Sequence, residues 1–210
     1  MDFGLSEEQE LLQGSAREFL NQECSVGFVR DLYDDAEGFS HQLHHKMAEL
    51  GWAGVLIPEV YHGLGLGMLD MAVLLEEMGR AAVPGPFLFS SVLTTLALMQ
   101  GGTETQKNSW LPRFAAGEAI GSVAFLEEGD RLDARGVRLK AEKTTEGYTL
   151  FGTKMFVPYA SVSDVLLVAA RTMIEGEQPD AGVSLFLVER GTLGLAIKPD
   201  RNIRLSLTEI

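Results

Sequence analysis

The spacing of apolar residues changes near Gly117, and this change limits the fold more than any other feature of the chain. Before Gly117, apolar residues recur at the spacing of one face of an α-helix. After it, short β-rich runs lie between turn residues, which is typical of strands. The sequence therefore predicts an α+β protein, with an all-helical N-terminal domain over residues 1–117 and a small, incomplete antiparallel β-barrel domain over residues 118–210.

The same patterns predict individual elements. Helices are predicted over residues 7–21, 40–50, 69–82, 87–99 and 103–116. The first begins at a capping box formed by Ser6 and Gln9, and the last at one formed by Thr103 and Gln106. Strands are predicted over residues 120–126, 137–143, 148–151, 165–170, 183–188 and 195–197, with a hairpin loop at 146–147.

Composition excludes several classes of partner. The 210 residues carry a formal net charge of -13 and no cluster of Lys or Arg, whereas nucleic acids and anionic membranes both bind basic surfaces. The N-terminus lacks the basic and apolar regions of a signal peptide, and the apolar run 87–99 is too short to span a bilayer. Cys24 is the only cysteine, so we expect no intrachain disulfide. We also expect a cytoplasmic location, because a reducing compartment suits such a chain.

Two further patterns are interpreted as structural. His41, His44 and His45 are spaced as metal ligands on one helix face would be, but no cysteine accompanies them. We expect solvated helix residues and no metal site. The glycine-rich segment 63–67 lacks the βαβ unit and the G-x-G-x-x-G spacing of a dinucleotide-binding loop, so we expect a loop that leads into a helix.

Several segments agree, in order and spacing, with one enzyme family. The most specific are 101–107 and 111–118, which include the second capping box. The others are 5–9, 49–55, 57–59, 63–65, 74–80 and 152–157. With these segments the chain resembles the acyl-CoA dehydrogenase family over essentially its whole length.

The resemblance implies a helical N-terminal domain, a middle β-domain and a C-terminal helical bundle, with FAD held between the last two. Within these 210 residues we expect no counterpart of the bundle. The implied activity is removal of the α-proton and the β-hydride of an acyl-CoA thioester, with an electron-transfer flavoprotein as the usual electron acceptor. Because the family's catalytic glutamate lies in the bundle, no catalytic residue is assigned. Glu127 matches a structural position.

The resemblance also implies two flavin-binding segments, which comprise Phe125, Leu126 and Glu127, and then Phe156, Val157 and Pro158. Leu126 stands where the family has a threonine that binds the flavin pyrimidine edge. Pro158 replaces a threonine that donates to flavin N5, and proline has neither a hydroxyl nor an amide hydrogen. A serine for the FAD pyrophosphate is missing from the turn before Asp130. Each lost bond costs about 1 kcal/mol, so we expect weakened FAD binding in which backbone amides of Leu126 and Glu127 remain as donors.

A third candidate site lies in the helical domain. Helix 87–99 is apolar on most sides, which predicts a buried central helix. In the family this helix also lines the acyl-chain cavity. Ser91, Thr94 and Thr95 are therefore candidate residues for binding the acyl-CoA substrate, and plain core packing is the competing interpretation.

Three interpretations of function stay open at this point. The first is an acyl-CoA dehydrogenase-like oxidoreductase whose catalysis is incomplete in this chain. The second is a non-catalytic, flavin-poor subunit of a heteromeric acyl-CoA dehydrogenase, which Leu126 and Pro158 favour. As partner we expect an acyl-CoA dehydrogenase-like chain, in a homo- or hetero-oligomer. The third is a severed fragment. Ile203, Leu205 and Leu207 alternate with polar residues at the chain end, and an unpaired apolar strand there promotes association.

Overall fold

The computed structural model describes residues 4–35, 37–129, 131–172, 181–200 and 207–209. The chain divides into two compact units, Met1–Ala119 and Ile120–Ile210. The first unit is helical and the second contains the strands, which confirms the α+β class. Within the described ranges, no helix is both long and apolar enough to cross a membrane.

The first unit consists of helices. They are α1 (Glu7–Glu23), α2 (Val26–Asp34), α3 (His41–Glu49), α4 (Met68–Arg80), a π-helix (Leu88–Thr94) that continues into α5 (Thr95–Gly101), and α6 (Glu104–Ala115). The connection between α3 and α4, residues 50–67, contains two 3₁₀ turns, Trp52–Gly54 and Glu59–Tyr61. Both predicted capping boxes are confirmed, at Ser6 and Gln9 before α1 and at Thr103 and Gln106 before α6. These reciprocal bonds set where the two helices begin.

Helix α2 is missing from the sequence-based prediction. Its first turn is capped by Ser25, whose hydroxyl oxygen accepts a hydrogen bond from the Phe28 amide at 3.2 Å. The helix has nine residues and none of them is fully buried. Only partly buried side chains such as Phe28 and Val29 reach the core of the unit. A helix this short, with so little burial, leaves a weak apolar pattern.

The segment 87–99 is not the single buried α-helix that the sequence predicts. Residues Leu88–Thr94 form a π-helix, and the α-helical turns begin only at Thr95. Leu88 and Leu93 are each 43% exposed, so one side of the segment is not covered within the described chain. The wider π turn carries apolar side chains to positions that the α-helical period does not give.

Helices α1 and α4 are joined by a buried carboxylate. Glu77 on α4 accepts hydrogen bonds from Arg17 of α1, with Nη2–Oε1 at 2.5 Å and Nε–Oε2 at 3.0 Å, and from Arg80 Nε at 2.7 Å. Gln9 of α1 also donates to Asp70 of α4 at 3.1 Å. The apolar core around this contact includes Ala16, Leu20, Leu43, Met47, Trp52, Met71, Leu74 and Met78.

The second unit contains short strands. They are β1 (Gly121–Ala124), β2 (Lys140–Lys143), β3 (Tyr148–Phe151), β4 (Val157–Pro158), β5 (Val165–Arg171), β6 (Val183–Glu189), β7 (Lys198–Asp200) and β8 (Leu207–Glu209). One sheet has the order β1-β5-β2-β3, with β6 also paired to β5, and the other has the order β4-β8-β7. Strand β5 is therefore central, and its residues from Val165 to Ala170 are buried.

The expectation of an incomplete antiparallel barrel needs correction in the direction of its strands. Strand pairs β2–β3, β5–β6, β4–β8 and β7–β8 are antiparallel, but β1 and β2 run parallel to β5. The described strands form two sheets, one of them mixed, and the sheets do not close, which agrees with the expectation of an incomplete barrel. Alternation in a sequence shows which side chains face the core, and it does not specify the direction of the neighbouring strand.

Smaller differences concern the ends of the sheets. The predicted strand 195–197 is not a strand, because Leu195 and Ile197 pack against the β core without pairing, and β7 follows them. The two-residue strand β4 was not among the predicted strands. The hairpin at 146–147 is confirmed, with the Thr144 amide donating to the Gly147 carbonyl at 2.9 Å. Of the predicted terminal strand, residues 203–206 lie outside the described residues.

The substitution Glu77→Gln tests the junction of α1 and α4. It should lower the free energy of unfolding by about 2 kcal/mol at pH 7, because Arg17 and Arg80 lose a charged acceptor. The hydrogen bond from Arg17 and the charges of both arginines lower the pKa of Glu77 from 4.5 to about 2. A carboxyl whose pKa is lower in the folded than in the unfolded state stabilises the fold fully above the unfolded value, here 4.5. This stabilisation is lost as the pH falls from 4.5 to about 2. Denaturant unfolding at pH 7 and pH 3 should therefore show a smaller difference between variant and parent at pH 3.

Glu76→Gln is the matched control, since Glu76 is the exposed neighbour on the same helix. We expect it to change stability by a few tenths of a kcal/mol at most. Equal losses in the two variants at pH 7, or a difference for Glu77→Gln that stays constant down to pH 3, would contradict this account of the junction.

Candidate functional site

The structure brings the two predicted flavin segments together in the β unit. The first segment, residues 125–127, follows β1, and the second, residues 156–158, contains β4. The contacts between them are made by Lys154 and Met155, which directly precede the second segment. The Met155 amide donates to the Leu126 carbonyl at 2.9 Å. Lys154 Nζ donates to the Phe125 carbonyl at 3.1 Å. The segments are therefore joined at successive residues on both sides.

Lys154 is the residue that sequence reasoning missed. Its side chain has no exposed surface, and its Nζ lies 2.5 Å from Glu127 Oε1. Burial lowers the pKa of the Lys154 ammonium, and the hydrogen bond and charge of Glu127 oppose this effect. Gly-Thr-Lys is part of the family resemblance, but a lysine in a sequence is by default a surface residue, so its burial carries no sequence signal.

The Glu127 carboxylate is fully engaged by its own chain. Besides Lys154, it accepts from the Arg138 amide, 3.0 Å from each oxygen, and from the Leu139 amide at 3.0 Å. A carboxylate that accepts from three groups holds together the chain segments that carry those groups. Glu127 therefore acts in this structure as a clamp between segments.

The main chain of the first segment keeps two donors. Among the residues that the structure describes, the backbone N–H groups of Leu126 and Glu127 donate to no acceptor. Strand β1 ends at Ala124, where its pairing with Val168 of β5 stops, and this leaves the following amides outside the sheet. Unpaired amides at the end of a strand can bind the acceptor atoms of a ligand.

The second segment has a strained backbone and no side-chain donor at its end. Phe156 has φ of 53° and Tyr159 has φ of 51°, in the left-handed region that non-glycine residues seldom adopt. Between them, Val157 is buried in the β core. Pro158 is partly buried, and its carbonyl accepts from the Ser122 hydroxyl. Strain of this kind is often found at ligand sites.

The donor set determines how FAD could be held. Leu126 and Pro158 supply no side-chain donor, and the Val157 side chain faces the core. The free amides of Leu126 and Glu127 suit the carbonyl and nitrogen acceptors along the edge of a flavin ring. The residues present therefore fit a flavin through the main chain and not through side chains.

A small cleft of about 340 Å³ lies beside the first segment. It is lined by Glu127, Glu128, Arg138, Thr153 and Met155. The Arg138 guanidinium has no ion-pair partner within the described part of the chain.

The candidate substrate residues lie in the helical unit, at and just after the π-helix. Ser91, Thr94 and Thr95 are all buried. Thr94 Oγ1 donates to the Phe89 carbonyl at 2.8 Å, and Thr95 Oγ1 to the Ser90 carbonyl at 3.0 Å, five residues back in each case. Because these hydroxyl protons are already used, the two threonines offer methyl groups rather than donors to a neighbour.

Comparison with known proteins identifies the family. Residues 6–118 match the profile of the acyl-CoA dehydrogenase N-terminal domain, and residues 122–206 match that of the acyl-CoA dehydrogenase middle domain. The chain belongs to the acyl-CoA dehydrogenase family. The resemblance found in the sequence is thereby confirmed.

Relatives of the family include proteins of known structure. The mitochondrial long-chain specific acyl-CoA dehydrogenase of Rattus norvegicus is 33% identical over 90% of this chain and 44% of its own length. The ChsE4-ChsE5 complex of Mycobacterium tuberculosis is 28% identical with a TM-score of 0.85, covering 100% of this chain and 54% of that one. Acyl-CoA dehydrogenase complexed with FAD from Bacillus anthracis is 27% identical with a TM-score of 0.84, covering 98% and 35%. This chain spans about half the length of the curated relatives it matches.

Gly152 sets the approach of the second segment to Leu139, and Gly152→Ala tests this contact. A Cβ at Gly152 would lie 2.9 Å from Leu139 Cγ, and the residue has φ of 147°. We expect the substitution to combine backbone strain with overlap, and to destabilise the protein by about 1–2 kcal/mol more than strain alone does. Thermal or denaturant unfolding measures the difference.

Gly147→Ala is the matched control for this substitution. Gly147 has almost the same φ, 146°, and open space where the Cβ would lie. Both variants therefore place an alanine at nearly the same positive φ, and only Gly152→Ala adds overlap with Leu139. Equal loss of stability in the two would mean that the Leu139 contact does not position the segment.

Proposed function

We propose that this chain provides the N-terminal and middle domains of an acyl-CoA dehydrogenase-type oxidoreductase, which forms the α,β double bond of an acyl-CoA thioester with FAD. The observation that carries the proposal is the pair of joined segments in the β unit, with free amides at Leu126 and Glu127. Membership of the family supports the reaction class. A cytoplasmic location is proposed with it, because the one cysteine is a free thiol.

The role of these residues in the proposed reaction is to bind and orient. A bound FAD would supply the hydride acceptor for this reaction. The amides of Leu126 and Glu127 would donate to the flavin edge, and Phe156 would provide an aromatic surface beside it. We assign no catalytic base among the described residues, because the carboxylate nearest this site, Glu127, is held by Lys154 and two backbone amides.

For the substrate, we propose that Ser91, Thr94 and Thr95 form part of an acyl-chain wall. Their burial and the internal bonds of the two threonine hydroxyls support an apolar lining of methyl groups, which suits a hydrocarbon chain. An electron-transfer flavoprotein is the proposed electron acceptor, as the family resemblance implies.

A second candidate function is that of a flavin-poor subunit in a heteromeric acyl-CoA dehydrogenase. Leu126 and Pro158 favour it, because both positions lack the donors on which a tightly bound flavin depends. The ChsE4-ChsE5 complex, a structural neighbour, joins two differently named chains. In this case FAD would be held mainly by a homologous partner chain, and the present chain would support it.

Restoring the two missing hydroxyls tests both candidates. The double variant Leu126→Thr/Pro158→Thr should bind FAD about 30-fold more tightly than the parent, since two neutral hydrogen bonds contribute about 1 kcal/mol each. A titration that follows quenching of FAD fluorescence measures the dissociation constants. Firm binding by the parent itself, with no gain in the variant, would contradict the flavin-poor candidate.

Leu185→Thr is the matched control for this titration. Leu185 lies on β6 and is 52% exposed, so the same change of side chain occurs in the same unit away from the joined segments. We expect no change in FAD affinity. An equal gain in the control would show that the hydroxyls act through something other than the proposed flavin contacts.

A further inference from the structure

Three backbone segments of the β unit meet at one buried ammonium. Lys154 contributes the ammonium, and the Glu127 carboxylate and the Phe125 carbonyl accept from it. The same carboxylate accepts from the amides of Arg138 and Leu139. Lys154 has no exposed surface, whereas Glu127 retains a side-chain exposure of 11%. The contact is therefore made under the surface that carries the candidate flavin segments.

Burial of this pair is not explained by stability alone. Removing two charges from water is expensive, and a buried ion pair often contributes no more stability than apolar residues of the same size. The pair does constrain the orientation of neighbouring backbone groups, because the hydrogen bonds of the ammonium and the carboxylate require particular positions of their partners. This constraint turns particular backbone groups.

The constraint acts on two successive peptide planes. In a trans peptide, the C=O of one residue and the N–H of the next point in opposite directions. The Phe125 carbonyl is held by Lys154, and the Leu126 carbonyl is held by the Met155 amide. The N–H groups in those same planes belong to Leu126 and Glu127. They must therefore point away from the second segment, and neither donates to an acceptor among the described residues.

We propose that Lys154 is a positioning residue, which turns the peptide planes of residues 125–127 so that the amides of Leu126 and Glu127 form a two-donor edge for a flavin. This inference rests on the proposed function for the identity of the ligand. The orientation itself rests only on the described bonds. Lys154 would not contact the flavin itself. It would orient the backbone donors that a flavin needs where Leu126 and Pro158 provide no side-chain donor.

The test uses Lys154→Met and the double variant Lys154→Met/Glu127→Gln in the full chain. Two readouts need no ligand: hydrogen exchange of the Met155 amide, and the NMR shifts of the Leu126 and Glu127 amides. We expect Lys154→Met to raise Met155 exchange at least tenfold and to move both amide shifts, while exchange at Val168 in β5 is unchanged. Lys143→Met is the control, because it removes an exposed lysine of the same unit.

A third readout separates positioning from stability. In the double variant no charge is left unpaired, so the unfolding midpoint should return towards that of the parent. FAD affinity should nevertheless stay at least tenfold weaker, because the Phe125 carbonyl is no longer held. A double variant that binds FAD as tightly as the parent, or a Lys154→Met protein with unchanged Met155 exchange and amide shifts, would overturn the proposal.

The proposal and the function it rests on fail in different ways. If neither the parent chain nor the Leu126→Thr/Pro158→Thr variant binds FAD, the flavin function is contradicted. The exchange and shift measurements would then decide the role of Lys154 by themselves. If Lys154→Met does not fold, the same exchange and shift measurements are made on Lys154→Met/Glu127→Gln.

Discussion

A fully buried ammonium requires an anion beside it, and in the β unit this requirement fixes where three segments meet. Lys154 and Glu127 satisfy each other, and the remaining bonds of the pair go to backbone groups of Phe125, Arg138 and Leu139. The candidate flavin edge depends on this contact, because the orientation of its peptide planes follows from which carbonyls are held. The close approach of Gly152 to Leu139 brings the chain into the position where the contact forms.

Local signals in the sequence predicted much of the fold. Capping boxes at Ser6 and Thr103 depend on two residues three apart, and both form as expected. Features that depend on distant contacts were not predictable in this way. The π-helix before Thr95 and the parallel pairing of β1 with β5 arise from packing and strand order, which no short window of sequence contains.

The candidate site divides along the same line. The family resemblance pointed to residues 125–127 and 156–158, and the structure brings the segments that contain them together. It could not point to Lys154 as a buried residue, because a lysine is usually exposed. Nor could side-chain identities reveal that the amides of Leu126 and Glu127 donate to no acceptor in the part of the chain that the structure describes, since that depends on where β1 stops pairing with β5. Whether those residues bind FAD stays a prediction.

Both candidate functions share one claim: this chain contacts the edge of a flavin through main-chain amides only, and it binds FAD weakly by itself. Native mass spectrometry of the chain, purified gently from its own host, tests this claim most directly, because one spectrum reports bound flavin and bound partners together. The account predicts a chain without firmly bound FAD, with any flavin found in complexes that contain a second, homologous chain. A lone chain that retains one FAD per copy would contradict it.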